Sequence, residues 1–173
     1  QNDVVKGIFV EKKPIIADSV ILASGGFEAN PILRKEFIGE NWETAKVRGT
    51  PHNTGDGLLM ALKAGAVKYG DYTGCHATPM DLHMKNFGGL HLDPSDRKNY
   101  RKICYFLGIM VNANGQRFLD EGKNFRNYTY AQYGKKVLDQ PGHFAWQIFD
   151  SKVLNLLYEE YTFHDAHFVE GET

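Results

Sequence analysis

Three stretches of this sequence place chemistry-bearing residues at informative spacings. The first is Ser24-Gly25-Gly26, directly after the apolar run Val20-Ile21-Leu22-Ala23. Glycines after a buried strand let the backbone approach a phosphate or a ring; a plain tight turn explains them equally well. A full G-x-G-x-x-G fingerprint is absent, which excludes a complete classical phosphate-binding βαβ unit in this chain. The second stretch, Thr54-Gly55-Asp56-Gly57, precedes a helical pattern. Free N–H groups at a helix start could hold a carboxylate or phosphate, whereas helix capping by Thr54 or Asp56 would account for the same residues. The third runs from Arg117 to Arg126, with Lys123 between them and Asp120 and Glu121 close by. It reads either as a solvated loop with weak ion pairs or as an arginine set over a polycarboxylate, oriented by an acidic neighbour. Metal chemistry is not expected: His164 and His167 flank Asp165, and His76 adjoins Cys75, but no H-E-x-x-H or C-x-x-C occurs.

The elements that must position these groups belong to a chain of 173 residues, enough for one ordinary domain. With 20 basic and 21 acidic residues the net charge is -1, so nucleic acid is not an expected partner. Apolar residues at 42% and charged residues at 24% describe a globular rather than a disordered chain. No apolar run approaches the roughly 20 residues of a bilayer span, and no basic-then-apolar start reads as a secretion signal. With two isolated cysteines, a cytoplasmic location is expected.

Residues 4–10 and 14–24 read as extended segments joined by Glu11-Lys12-Lys13-Pro14, the second ending in a strand covered on both faces. Asn30 caps and Pro31 opens a helix to about Phe37. A second helix runs from about Asp56 to Lys63, burying Leu58, Leu59, Ala61 and Leu62 and stopping at Gly65. Residues 66–100 predict short strands and loops. Residues 105–111 predict a central strand, Asn112-Ala113-Asn114-Gly115 a hairpin turn, and 116–119 its return. Residues 128–138 read as helix, 144–149 as strand and 151–161 as a final amphipathic helix. The class is α+β, a mixed α/β chain. Strand-like alternation is already under way at the first residues and there is no initiator Met, so the chain is expected to be a segment of a longer protein.

Several separated segments share one further property. They are Ala17-Asp18-Ser19-Val20-Ile21-Leu22-Ala23-Ser24-Gly25-Gly26-Phe27, Arg48-Gly49-Thr50-Pro51-His52-Asn53-Thr54-Gly55-Asp56-Gly57, Gly74-Cys75-His76 and Val111-Asn112-Ala113-Asn114-Gly115-Gln116-Arg117-Phe118. Phe125-Arg126-Asn127-Tyr128-Thr129-Tyr130-Ala131 and Ala145-Trp146-Gln147-Ile148-Phe149-Asp150 complete the series. In this order they resemble the fumarate reductase/succinate dehydrogenase flavoprotein superfamily, most closely its FAD-dependent tricarballylate dehydrogenase-like branch.

The resemblance implies that residues 1–30 end an FAD-binding domain and that 31–173 form most of a capping, catalytic domain. It implies FAD as cofactor of the full-length parent, not retained by this segment alone, because the N-terminal phosphate-binding unit and a C-terminal return segment are not in the sequence. Implied partners are a small carboxylate substrate, the remainder of the flavoprotein and an electron-acceptor protein, with no nucleic acid and no membrane segment. The implied reaction is dehydrogenation of tricarballylate to cis-aconitate. A same-fold enzyme for fumarate or a 3-ketosteroid, or a catalytically inert interaction domain, are the alternatives. Arg126 matches the family's proton donor or acceptor, with Glu121 as its candidate carboxylate neighbour, since arginine is a poor general base unaided. His76, Thr54 and Gly55 match substrate-facing positions, and Ser24, Gly25, Gly26, Asp56 and Gly57 flavin-side positions. The sequence reads His-Ala-Thr-Pro at His76 where fumarate reductases usually have His-Pro-Thr, which points away from fumarate.

Overall fold

The computed structural model describes residues 4–87, 92–162 and 167–171, and combines three α-helices with two small antiparallel sheets. His91 and His164 lie outside the described residues. Strands β1 (Gly7–Val10) and β2 (Lys13–Ile16) pair with Gly7 opposite Ile16 and Val10 opposite Lys13. Their two-residue loop, Glu11-Lys12, takes φ values of 49° and 68°, as in the mirror-image turn whose twist matches that of the strands. Strand β2 ends at Ile16, and the last hairpin bond, from the Ala17 N–H to the Lys6 carbonyl at 3.0 Å, falls short of the expected segment 14–24. The run Val20 to Ala23 is not a strand, and Ile21 is 90% exposed. A strand of that composition needs neighbours on both edges and cover on both faces, and among the described residues no strand lies beside it.

Helix α1 (Pro31–Phe37) forms as expected: Asn30 Oδ1 accepts from the N–H groups of Ile32 and Leu33, and Pro31 takes the first position. The same helix buries Arg34. Its Nε donates to the Trp42 carbonyl at 2.7 Å and its Nη2 to those of Glu43 and Ala45, both at 3.0 Å. A fourth bond reaches the Glu28 carbonyl. Burial lowers the pKa of this guanidinium, and those four carbonyls fix α1 against both of its flanks. Helix α2 (Asp56–Lys63) has the expected bounds, but its inward residue is Gly57, while Leu59 is 41% exposed.

The main core gathers Ile103, Tyr105, Met110 and Tyr133, with Phe118, Leu119, Tyr130, Val137 and Ala145 packed around it. Strand β3 (Ile109–Val111) pairs with β4 (Trp146–Ile148), Ile109 opposite Ile148. The expected strand over 105–111 starts instead as a 3-10 turn, Tyr105–Leu107. The Asn112-to-Gly115 turn is present, with Gly115 at φ 73° and its N–H donating to the Asn112 carbonyl at 2.9 Å. The return contributes a single bridge, Val111 to Arg117, on the edge of β3 opposite β4, and the next N–H along, that of Met110, goes to Glu121 Oε1 instead. Helix α3 (Tyr130–Leu138) follows a separate 3-10 turn, Arg126–Tyr128. The final helix expected over 151–161 is two 3-10 turns, Ser151–Leu156 and Glu159–Tyr161. Between them Leu157 and Tyr158 are extended. That break lets the Tyr158 N–H donate to Cys104 Sγ at 3.5 Å and brings the Tyr161 hydroxyl to the Cys104 N–H at 2.8 Å and to Gln147 Oε1 at 2.6 Å. Burial pushes the Tyr161 phenol pKa far up. Among the described residues no helix is long and apolar enough to cross a membrane.

Candidate functional site

The two glycine-containing segments, about thirty residues apart in sequence, lie against each other. The Ala29 N–H donates to the Asn53 carbonyl and Asn30 Nδ2 to the Thr54 carbonyl, each at 2.9 Å. The approach is close enough that a Cβ on Gly57 would sit 1.9 Å from Ser24 Oγ. Gly25, at φ 77°, would place one 2.7 Å from Asn53 Oδ1. These two glycines therefore make room for the Ser24 and Asn53 side chains against their backbone. Gly26 differs: its added Cβ would meet only the flexible Glu28 carboxylate, at 2.7 Å.

Helix α2 departs from the expected capping. Gly55 occupies the N-cap with φ 84° and there is no side-chain cap. Thr54 Oγ1 donates instead to Asp56 Oδ2 at 2.8 Å. A left-handed N-cap suits glycine and strains threonine or aspartate. An α2 start without a side-chain cap offers backbone N–H groups of the kind that face a flavin ring or a phosphate. Asp56, its first residue, fits such a place, whereas Gly25 and Gly57 are packed against Asn53 and Ser24 and Gly26 is close to the Glu28 carboxylate.

The second locus is the start of α3. Arg126 opens the 3-10 turn that leads into it, and its carbonyl accepts from the Thr129 N–H at 3.0 Å and the Thr129 hydroxyl at 3.2 Å. That hydroxyl also meets the buried Tyr105 hydroxyl at 2.7 Å, so the backbone of Arg126 is tied to the core. Its guanidinium carbon lies 5.6 Å from the centroid of the Tyr158 ring. His76, fifty residues earlier, arrives at the same helix. Its ring meets Tyr130 edge-on at 5.2 Å, the Ala77 N–H donates to the Ala131 carbonyl at 2.8 Å, and the Gly134 N–H donates to the Ala77 carbonyl at 2.9 Å. A Cβ on Gly134 would stand 2.5 Å from the Ala77 carbonyl carbon, so the segment carrying His76 seats directly on α3.

Glu121 is placed differently from the role the resemblance implies. It is buried, at 2% exposure. Its Oε1 accepts from the Met110 N–H at 2.6 Å, and its Oε2 from Arg117 Nε at 2.8 Å. Burial alone would raise its pKa, but the bonds from Arg117 and Met110 outweigh it and hold the carboxyl below its ordinary range. Both oxygens are thus engaged with the β3 hairpin, and among the described residues no ion pair joins Glu121 to Arg126. Sequence reasoning missed the two aromatic partners, Tyr130 at His76 and Tyr158 at Arg126. Tyr158 lies 32 positions after Arg126, and no spacing signal could join them.

Cys75, beside His76, is exposed; partial desolvation and the charge of Glu28 raise its thiol pKa, and the Arg34 guanidinium partly offsets this. The same Glu28 bonds Asn53 beside Gly25. Two open depressions, at Arg117–Asp120 and around Pro31, Ile32, Lys35, Glu36 and Glu43, contain neither Arg126 nor His76.

These features define a mixed α/β protein in which the Ser24-Gly25-Gly26 segment packs against the start of α2. A family model described as an FAD binding domain matches residues 1–160, and the chain belongs to that family, among flavoproteins of the fumarate reductase/succinate dehydrogenase type. It is similar to the fumarate reductase (cytochrome) of Shewanella frigidimarina, 34% identical over 158 residues that cover 86% of this chain and 23% of the relative. It is similar also to the 3-oxosteroid 1-dehydrogenase of Mycobacterium tuberculosis, 30% identical over 166 residues, with 88% and 28% covered. The solved structure of an open flavocytochrome c3 fumarate reductase superposes with a TM-score of 0.52 at 29% identity, over 82% of this chain and 22% of that one. The chain spans 20% to 29% of the length of the relatives it matches.

Proposed function

We propose that these residues serve an FAD-dependent oxidoreductase that moves a hydride between flavin and a di- or tricarboxylate, with tricarballylate dehydrogenation to cis-aconitate as the specific reaction. In this reading 1–30 close an FAD-binding domain and 31–173 form most of a capping domain. The observation that supports it best is that the segments carrying His76 and Arg126 both reach the N-terminal end of α3, the His76 ring against Tyr130 and Arg126 in the turn that leads into the helix.

FAD, when bound, supplies the hydride acceptor or donor. The chain's residues do the rest. The start of α2 offers N–H donors to the cofactor. Thr54 and Gly55, beside them, orient a substrate carboxylate. His76, held edge-on by Tyr130, donates to a second carboxylate, and charge-assisted bonds of that kind are the stronger ones. Arg126 exchanges the proton at the carbon next to the one that exchanges hydride. In dehydrogenation the proton leaves that carbon for an unprotonated nitrogen of a neutral Arg126 guanidine, which becomes the guanidinium, while the rest of its planar fork holds a substrate carboxylate; in the reverse direction the same N–H donates. Because Glu121 is taken by Arg117 and Met110, the carboxylate that supports Arg126 comes from the substrate or from outside the described residues.

A steroid substrate is the second reading, favoured by similarity to a 3-oxosteroid 1-dehydrogenase. Anaerobic titration of the oxidised enzyme carrying this chain with tricarballylate, succinate and a 3-ketosteroid separates the two. Flavin bleaching by tricarballylate is expected; bleaching by the steroid alone overturns the carboxylate reading.

A further inference from the structure

The geometry points to Tyr158 as a positioning residue for Arg126, a tyrosine from the far end of the chain whose ring face fixes the guanidinium that the proposed reaction uses. This inference rests on the reading of Arg126 as the proton-transfer group. It is carried by the arrangement of the 157–161 segment. Leu157 and Tyr158 interrupt what would otherwise be one helix, and the interruption is anchored on both sides. The Tyr158 N–H donates to the sulfur of the fully buried Cys104 at 3.5 Å. Three residues later, the Tyr161 hydroxyl accepts from the Cys104 N–H at 2.8 Å and donates to Gln147 at 2.6 Å. The Phe106 ring meets Tyr158 edge-on at 6.4 Å. With its backbone tied to the core and one flank against Phe106, the Tyr158 ring has little freedom, and its face lies 5.6 Å from the Arg126 guanidinium carbon.

Arg126 needs such a support. Its main chain is fixed through Thr129 and Tyr105, but several rotatable bonds separate that chain from the guanidinium. A ring face within about 6 Å attracts a guanidinium and leaves the edge N–H groups free for ligands. A carboxylate in the same place would occupy those N–H groups. The ring therefore narrows the choice of rotamers without consuming the donors that the proposed chemistry requires. Proton transfer is steeply sensitive to such placement.

The test uses the FAD-loaded enzyme carrying this chain, with Tyr158→Leu, Tyr158→Phe and Arg126→Lys, and tricarballylate as probe. Tyr158→Leu is expected to lower kcat about fivefold with little change in KM, the scale of a half-exposed cation–ring contact. It is also expected to shift the Arg126 Nε–Hε proton resonance downfield, as the ring current is lost. Tyr158→Phe, which keeps the ring face, recovers most of both effects. If Arg126→Lys abolishes flavin reduction while Tyr158→Leu leaves both kcat and the Nε–Hε resonance unchanged, the positioning role is wrong and the assignment of Arg126 stands. If Tyr158→Leu lowers kcat and Tyr158→Phe fails to recover it, the ring face is not what acts, and the inference is likewise overturned. If Arg126→Lys leaves flavin reduction intact, the assignment of Arg126 falls, and this inference falls with it.

Discussion

A carboxylate that already accepts a buried backbone N–H and a guanidinium has little left to offer a third partner, and Glu121 is in that position. Glu121→Ala would leave the Met110 N–H unpaired in the core, at a cost of about 1–3 kcal/mol, readable as a lower urea midpoint at neutral pH. The sign of its pH dependence follows from a folded pKa held below the ordinary carboxyl range. Its contribution is complete above the unfolded value of about 4.3 and is lost as pH falls through the lower folded value. The gap in urea midpoint between wild type and Glu121→Gln is therefore expected to be widest near neutrality and to narrow below about pH 4. A gap that widens on acidification would contradict this. His76 has its ring braced by Tyr130. His76→Ala is expected to raise KM for tricarballylate about tenfold with a smaller effect on kcat. Arg126 and His76 were singled out in the sequence as candidates, by residue type and by motif. Their neighbours were not, because Tyr130 and Tyr158 are ordinary aromatics until the fold sets them against those two groups.

At the scale of elements, legibility followed how locally each one is determined. Helix α1 was readable because Asn30 and Pro31 specify its start with no help from elsewhere, and Asn30→Ala is expected to cost about 1 kcal/mol of stability by thermal melting. The Asn112-to-Gly115 turn was readable for the same reason. The run Val20 to Ala23 was not, since a strand of that composition depends on neighbouring strands, and none lies beside it among the described residues. Nor was the break at Leu157, where bonds to Cys104 and Gln147 override a helical period. The start of α2 shows a mixed outcome: its position follows from local signals, but its N-cap is Gly55 rather than a side chain. Gly57 carries more weight than a helix glycine usually does. Gly57→Ala would drive a methyl into Ser24, and a destabilisation of about 1–3 kcal/mol is expected from overpacking. The double variant with Ser24→Gly should recover part of it; no recovery would mean that the contact is not the cause.

For the molecule as a whole, membership of the FAD-binding domain family is shown by the match over residues 1–160, and the chain spans 20% to 29% of the length of the relatives it matches. Purified alone, the 173 residues are expected to carry no stoichiometric flavin, because no G-x-G-x-x-G unit is present to hold a pyrophosphate. A flavin absorption spectrum at one FAD per chain would overturn that expectation. The central claim is that Arg126 moves the substrate proton while flavin takes the hydride, and it is tested most directly by stopped-flow flavin reduction with tricarballylate in the FAD-loaded enzyme bearing Arg126→Lys. Lysine keeps the charge but loses the planar fork, so FAD content is expected to be unchanged and the reduction rate to fall at least about 100-fold, or roughly 3 kcal/mol of barrier. Full FAD content with an unchanged reduction rate would contradict the account.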